Sequence, residues 1–210
     1  ITKEGRWLYT EATAEQMYTS SIATIDYIHQ NFPQAKRIFA LGTPSMQEEF
    51  RKGGFQLCED SPEDRPDVLV AAFDTTLTYQ KMWDVCNFVR AGLPYIATHP
   101  DFNCPTETGF MPDIGAIMSF IEASTGRRPD LIVGKPNTGI VEAVLRRTGL
   151  KVDELAMVGD RLYTDIETGL RSGMLSILVM SGETTEEMLA ASPSQPDLKF
   201  GRLSDMIDLL

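Results

Sequence analysis

Short apolar runs alternate with longer segments of helical periodicity, and this alternation limits the possible folds more than any other feature of the sequence. Residues 68–73 form a continuous apolar run, which is typical of a strand buried on both faces of a sheet. Residues 79–91 follow with apolar side chains at helical spacing and stop at Gly92. Because strands that are joined through helices pair in parallel, the sequence predicts a doubly wound α/β sheet. The predicted strands span residues 35–42, 68–73, 95–98, 131–134, 155–160 and 175–180, and the predicted helices span 44–52, 79–91, 114–125, 138–148, 164–172 and 203–209.

The charge balance and the cysteine content exclude several classes of function. The chain carries 19 Lys and Arg against 30 Asp and Glu, a formal net charge of −11 at pH 7. Such a surface repels phosphate backbones, so neither a nucleic acid nor an anionic membrane is an expected partner. Cys58, Cys86 and Cys104 are too few and too scattered for a disulfide framework or a zinc knuckle. We therefore expect a reducing, cytoplasmic setting.

The segment around Asp160 is the strongest candidate for a chemical site. Asp160 stands at the end of a predicted strand, and the start of the next helix brings Asp165 back toward the same point. Ligands of open α/β sheets bind at the carboxyl ends of strands, and two carboxylates there suit a hard cation such as Mg²⁺. The alternative is structural: Asp160 caps a turn, and Asp165 lies in a first helical turn, where the helix dipole favours it.

A second candidate is Lys135, which follows the predicted strand 131–134 and precedes Pro136. A lysine beside two carboxylates would neutralise the charge of a phosphate or of a nucleophile. Taken alone, Gly-Lys-Pro is better explained as a solvated turn. The argument for a site is the pair: we expect Lys135 and Asp160 at the tips of neighbouring strands.

These two segments resemble a known family. Residues 134–136 and 159–166 are similar to motifs III and IV of the haloacid dehalogenase (HAD) superfamily, and more narrowly to its NagD-like, 4-nitrophenylphosphatase branch. Residues 96–101 resemble the Ala-Thr-Asn-Pro-Asp loop of that branch, with His99 in place of asparagine. Residues 17–24 resemble the entry into its large α/β cap, and 126–129 the return to the core. The resemblance covers roughly residues 15–210.

The resemblance implies a Mg²⁺-dependent phosphatase of small phosphorylated metabolites that works through an aspartyl-phosphate. It implies that Asp160 binds Mg²⁺, that Asp165 is a second acid of the metal site, and that Lys135 stabilises the nucleophile and the phosphoryl group. The cap loop that meets the substrate would contain Thr98, His99 and Asp101. The resemblance leaves a homodimer open. It also implies three segments: residues 1–14 of unclear role, a cap at 15–130, and the C-terminal half of a HAD-like core at 131–210.

Two motifs of that family are absent from the 210 residues. The family begins with Asp-x-Asp-Gly-Thr, whose first aspartate attacks phosphorus, and continues with a strand that ends in Thr or Ser. Neither stands before Met17. Asp74, after the apolar run 68–73, is a weak substitute, because no second aspartate or glycine follows it. We therefore expect the 210 residues alone to be inactive.

Two other functions stay open at this point. A non-catalytic binding or dimerisation module would retain the cap and half of the site. A receiver-like domain would also place acidic residues at strand tips, but it does not predict the cap segment.

Overall fold

The computed structural model describes residues 16–58 and 64–209. The chain divides into two compact units. We call Thr19–Gly134 the five-stranded unit, after its main sheet. The three-stranded unit contains the residues from Lys135 onward and the described residues before Thr19. The predicted segment 1–14 lies outside the described residues.

The main sheet of the five-stranded unit has the order β2-β1-β3-β4-β7, and all its neighbouring strands are parallel. Its central strand, β3, is buried along its whole length, as its unbroken apolar sequence predicts. A two-stranded antiparallel hairpin, β5-β6, was not predicted. The elements are α1 (Ser20–Asn31), β1 (Arg37–Leu41), α2 (Pro44–Lys52), β2 (Gln56–Leu57), β3 (Val68–Ala71), α3 (Tyr79–Arg90), β4 (Tyr95–Ala97), β5 (Asn103–Thr106), β6 (Gly109–Pro112), α4 (Ile114–Thr125) and β7 (Leu131–Ile132).

Local capping explains where the helices of this unit begin and end. The Thr43 hydroxyl accepts the backbone N–H of Met46 at 3.3 Å, and Pro44 occupies the first turn of α2. The Asp113 carboxylate accepts the N–H of Ile114 at 2.6 Å and starts α4. Gly126 ends α4 at φ 72°, a left-handed conformation that glycine adopts without strain. Helices α2 and α4 therefore have the predicted bounds.

The three-stranded unit contains a parallel sheet of order β10-β9-β8. Its sequence places β8 between two helical segments, so the predicted strand–helix alternation continues here. The parallel α/β fold class is thus confirmed in both units. The elements are α5 (Gly139–Thr148), a 3₁₀ turn (Val152–Glu154), β8 (Ala156–Gly159), a π-helical turn (Leu162–Ile166), α6 (Glu167–Ser172), β9 (Leu175–Val179), α7 (Glu186–Ala191), β10 (Leu198–Phe200) and a 3₁₀ segment (Leu203–Leu209).

One prediction about domain membership is wrong. The strand predicted at 131–134 was assigned to the C-terminal half of the core, but β7 pairs with β4 in the five-stranded sheet. The N–H groups of Val133 and Gly134 continue that pairing, donating to Ala97 and Thr98 at 2.9 and 2.8 Å. The boundary between the two compact units follows Gly134, and the five-stranded unit begins at Thr19.

Two further observations concern the lengths of the helices and the cysteines. Within residues 16–58 and 64–209, no helix has the length and apolar character needed to cross a membrane. Cys58, Cys86 and Cys104 are free thiols, and the first two are buried.

Candidate active site at the end of strand β8

Asp160 directly follows β8 and is held by the turn that follows β9. Its Oδ2 accepts the backbone N–H of Glu183 at 2.8 Å. Its carbonyl oxygen accepts the Thr184 hydroxyl at 2.6 Å and the Thr184 N–H at 3.2 Å. A Cβ atom on Gly182 would lie 2.0 Å from Asp160 Oδ2, so this turn requires glycine. Among the described residues, Asp160 Oδ1 accepts no hydrogen bond, and we call this unengaged atom the open oxygen of Asp160.

Asp165 is brought back toward β8 by the π-helical turn. Its side chain is 5% exposed. Its Oδ2 accepts the N–H of Arg161 at 3.2 Å, and its Oδ1 pairs with the Lys135 ammonium. A Cβ atom on Gly159 would lie 2.2 Å from Asp165 Cγ, so the glycine before Asp160 makes room for the second carboxylate. Both oxygens of Asp165 are therefore engaged within the protein.

The strand that precedes Lys135 belongs to a different sheet from the one that the sequence predicted. It follows β7 of the five-stranded sheet, whereas Asp160 follows β8 of the three-stranded sheet. The prediction that the two residues lie at the tips of neighbouring strands is wrong, and that argument for the site is lost. The ion pair between Lys135 and Asp165 is independent support for it. The Lys135 side chain is 42% exposed, so its ammonium group is accessible to an anion as well as to Asp165.

The donor set suits a weakly held cation. Within the described part of the chain, no group of three or more His, Cys, Asp or Glu side chains is arranged to hold a metal ion. Asp160 offers one open oxygen, and Mg²⁺ commonly binds through one or two carboxylates and keeps several waters. Asp160 therefore fits a Mg²⁺ ligand. Asp165, with both oxygens engaged, is better placed to orient Lys135 and the backbone of Arg161.

Comparisons with known proteins show the family of this chain. The HAD-hydrolase-like family model matches residues 132–206, which include Lys135, Asp160 and Asp165. An acid sugar phosphatase of Staphylococcus epidermidis is 34% identical over 204 residues, which are 97% of this chain and 77% of that protein. The chain belongs to the NagD-like branch of the HAD-family phosphatases.

Solved structures of this branch have the same fold. A 4-nitrophenylphosphatase from Thermotoga maritima is 43% identical, with a TM-score of 0.87 over 93% of this chain and 73% of that one. NagD from Escherichia coli is 30% identical, with a TM-score of 0.80 over 92% of this chain and 74% of that one. Family membership removes the receiver-like alternative. The predicted roles of individual residues stay predictions.

The predicted cap loop of this HAD-family chain lies in the five-stranded unit and is internally bonded. The Thr98 hydroxyl is 2.8 Å from His99 Nδ1, and His99 Nε2 is 3.0 Å from Asp113 Oδ1. Thr98 is buried, and Asp113 also caps α4. The carbonyl oxygen of Asp101 accepts the N–H of Gly115 at 2.8 Å. These bonds fix the shape of the loop. The part of Thr98, His99 and Asp101 in substrate binding stays a prediction.

Asp74 is arranged differently from Asp160. Its side chain is 0% exposed, and its Oδ2 pairs with Lys81 Nζ at 2.9 Å. Its Oδ1 accepts the N–H and the hydroxyl of Thr76, both at 2.7 Å. With both oxygens engaged and no surface exposed, Asp74 has the environment of a structural turn and not that of a nucleophile.

The turn at residues 181–184 was not predicted as part of the site. It contacts Asp160 through Gly182, Glu183 and Thr184, which are more than twenty positions away in the sequence. The available signal was weak: a small polar run, Ser-Gly-Glu-Thr-Thr, directly after a predicted strand. By the rule that ligands bind at strand carboxyl ends, this run belonged beside Asp160.

Proposed function

We propose that this chain is part of a Mg²⁺-dependent phosphatase of small phosphorylated metabolites, with an aspartyl-phosphate intermediate. The observation that carries the proposal is the ion pair of Lys135 with Asp165 next to the open oxygen of Asp160. These groups combine one accessible cation with one unengaged carboxylate oxygen. That combination suits a phosphoryl group, which is stabilised in its transition state mainly by positioning and charge.

Each residue has a distinct role in the proposal. Lys135 donates to a phosphoryl oxygen and offsets the negative charge there and on the nucleophile. Asp165 keeps the Lys135 ammonium oriented and holds the Arg161 N–H. Asp160 supplies an oxygen ligand for Mg²⁺, which when bound would act as a Lewis acid on phosphoryl oxygens. Because Asp160 alone offers an unengaged carboxylate oxygen among the described residues of this site, we expect weak Mg²⁺ affinity in these 210 residues.

The nucleophile belongs to a segment that is not among these residues. No Asp-x-Asp sequence occurs in the chain. The attacking carboxylate and the acid that protonates the leaving group therefore cannot be assigned to the family motif here. A cation and a metal ion alone leave only residual catalysis when the nucleophile is missing. We expect residues 1–210 alone to hydrolyse no phosphomonoester at a useful rate.

The names of two relatives support a proposal for the substrate class. The Staphylococcus protein is named an acid sugar phosphatase and the Thermotoga protein a 4-nitrophenylphosphatase. We propose sugar phosphates and similar small phosphomonoesters as substrates, with Thr98, His99 and Asp101 in the loop that selects among them.

A hydrolysis assay tests this function. We would measure phosphate release from 4-nitrophenyl phosphate and from a panel of sugar phosphates, with and without Mg²⁺. Residues 1–210 would be assayed alone and with a preceding segment that carries the two missing family motifs. The proposal predicts Mg²⁺-dependent turnover only with that segment. Robust turnover by residues 1–210 alone would overturn the assignment of the nucleophile and make Asp74 the candidate. No turnover in either form would favour a non-catalytic module.

A further inference from the structure

The Glu183 side chain bridges Arg161 and Tyr163, and the proposed mechanism assigns no role to this bridge. Its Oε2 is 2.6 Å from Arg161 Nε, and its Oε1 accepts the Tyr163 hydroxyl at 3.1 Å. Arg161 directly follows Asp160, and Tyr163 lies in the π-helical turn. The carboxylate thus ties the turn at residues 181–184 to the chain segment that leaves β8.

The backbone of the same residue contacts the candidate metal ligand. Glu183 N–H donates to Asp160 Oδ2, and the neighbouring Thr184 holds the Asp160 carbonyl. Asp160 is therefore bonded to the same turn that the Glu183 side chain joins to Arg161 and Tyr163. The Arg161 side chain is only 19% exposed, so this ion pair is partly shielded from water and from salt.

We infer that Glu183 is a positioning residue for Asp160, an inference that rests on the proposed role of Asp160 as a metal ligand. By holding the turn in place, Glu183 keeps Asp160 Oδ2 engaged and presents Oδ1 to the cation. Groups that orient a ligating carboxylate typically change metal affinity or activity about 10- to 100-fold when they are removed. The charge-assisted bond to Arg161 makes the larger contribution, because hydrogen bonds between ionised groups are stronger than those of a neutral hydroxyl.

The test is the affinity of the full chain for Mn²⁺, which accepts the same oxygen ligands as Mg²⁺ and is detected by electron paramagnetic resonance. Glu183→Ala should raise the Kd for Mn²⁺ about 10-fold or more. Glu183→Gln, which keeps one acceptor oxygen but loses the charge and the second acceptor, should give an intermediate Kd. Glu186→Ala is the matched control: Glu186 is three positions away, is exposed and pairs with Lys199. The Kd of Glu186→Ala for Mn²⁺ should equal that of the wild type.

A purely structural role would lower the Tm and leave the Kd of the folded protein unchanged, so both quantities are measured. If Glu183→Ala does not fold, Tyr163→Phe removes one arm of the bridge and should raise the Kd by a smaller factor. Equal Kd values for the Glu183, Tyr163 and Glu186 variants would overturn the inference while leaving the proposed function intact. If Asp160→Asn binds Mn²⁺ with the same Kd as the wild type, both the inference about Glu183 and the proposed function are overturned.

Discussion

Strands β3 and β8 have similar sequences and different surroundings. Each is a short apolar strand with an aspartate after it: Asp160 directly follows β8, and Asp74 lies three positions after the end of β3. Strand β3 is buried throughout and pairs on both sides, whereas β8 is exposed or half-buried and, among the described residues, pairs with β9 alone. An apolar strand that ends in aspartate is therefore not by itself a site.

The carboxylates of Asp74 and Asp160 also differ in how many of their oxygens are engaged. Both oxygens of Asp74 are occupied by Lys81 and Thr76, whereas Asp160 keeps one oxygen open. A lysine lies near each strand end, but Lys81 is 13% exposed and Lys135 is 42% exposed. The candidate site thus differs from the structural ion pair in having an unengaged carboxylate oxygen and a more exposed lysine.

The largest effect in this comparison is expected at Lys135. In a protein that also contains the nucleophile segment, Lys135→Ala should lower kcat about 10²- to 10³-fold, because a preorganised charge at the phosphoryl group is lost. Lys135→Arg should restore only part of the activity, since the planar guanidinium differs in shape from an ammonium group. Steady-state kinetics with 4-nitrophenyl phosphate give both values. A kcat within about twofold of the wild type for Lys135→Ala would show that the lysine is not used.

Asp74 should matter for stability instead of activity. Asp74→Asn leaves the Lys81 ammonium without its buried counterion, and removing one partner of such a pair costs about 3 kcal/mol or more. The matched control is Glu48→Gln, because Glu48 and Arg51 form an exposed pair of 3.4 Å worth less than about 1 kcal/mol. Urea denaturation measures both free energies of unfolding. Equal losses in the two variants would remove the contrast between the buried and the exposed pair.

Gly159 should be sensitive to a single added methyl group. Gly159→Ala places a Cβ atom against the Asp165 carboxylate, and overpacking of this kind typically costs about 1–3 kcal/mol. Gly139→Ala is the control, since no atom lies within 4 Å of the Cβ that it adds. We expect that variant to be neutral or slightly stabilised in thermal unfolding. If Gly159→Ala were equally stable, the close approach of Asp165 to the strand end would be wrong.

The pH dependence of stability should show a smaller effect, and this effect should be similar for one aspartate of each sheet. Just before β10, Asp197 Oδ2 accepts the hydroxyl and the N–H of Ser176 at 2.7 and 2.8 Å, and these bonds lower the pKa of Asp197. Before β3, Asp67 accepts the N–H groups of Arg37 and Lys36, which lower its pKa in the same way. A lowered pKa in the folded state stabilises the protein above the pKa of the unfolded state. This stabilisation is lost as the pH falls through the folded-state pKa.

The pH effect is measured as a difference between variants. The stability gap between the wild type and Asp197→Asn should be constant near neutral pH and shrink as the pH falls below about 4. Asp67→Asn should behave in the same way. A gap for Asp197→Asn that widens in acid would contradict the assigned direction.

The sequence predicted the features that depend on local chemistry. Helix α2 and helix α4 have the predicted bounds because Thr43 with Pro44 and Asp113 with Gly126 mark their ends within a few residues. The candidate site residues Asp160 and Asp165 were found because one strand and the turn after it carry both. The hairpin β5-β6 was missed, since its strands are mostly exposed and contain Pro105 and Pro112, which are unfavourable in strands.

Features that depend on distant contacts were not predictable in this way. The pairing of β7 with β4 joins residues 35 positions apart, such as Ile96 and Leu131, and no periodicity within 131–134 indicates which sheet it enters. The contact of Glu183 with Asp160 spans 23 positions and uses a backbone N–H, which every residue but proline possesses. The identity of the side chain at position 183 therefore could not predict this contact.

The central claim is that Asp160, the half-buried aspartate after β8, holds the metal ion, and that Asp74, the buried aspartate after β3, does not. Isothermal titration of MgCl₂ into the wild type, Asp160→Asn and Asp74→Asn tests it directly, at a temperature at which all three are folded by circular dichroism. The account predicts weak binding by the wild type, a Kd raised at least about 10-fold by Asp160→Asn, and a Kd unchanged by Asp74→Asn. Binding that survives in Asp160→Asn and is lost in Asp74→Asn would contradict it.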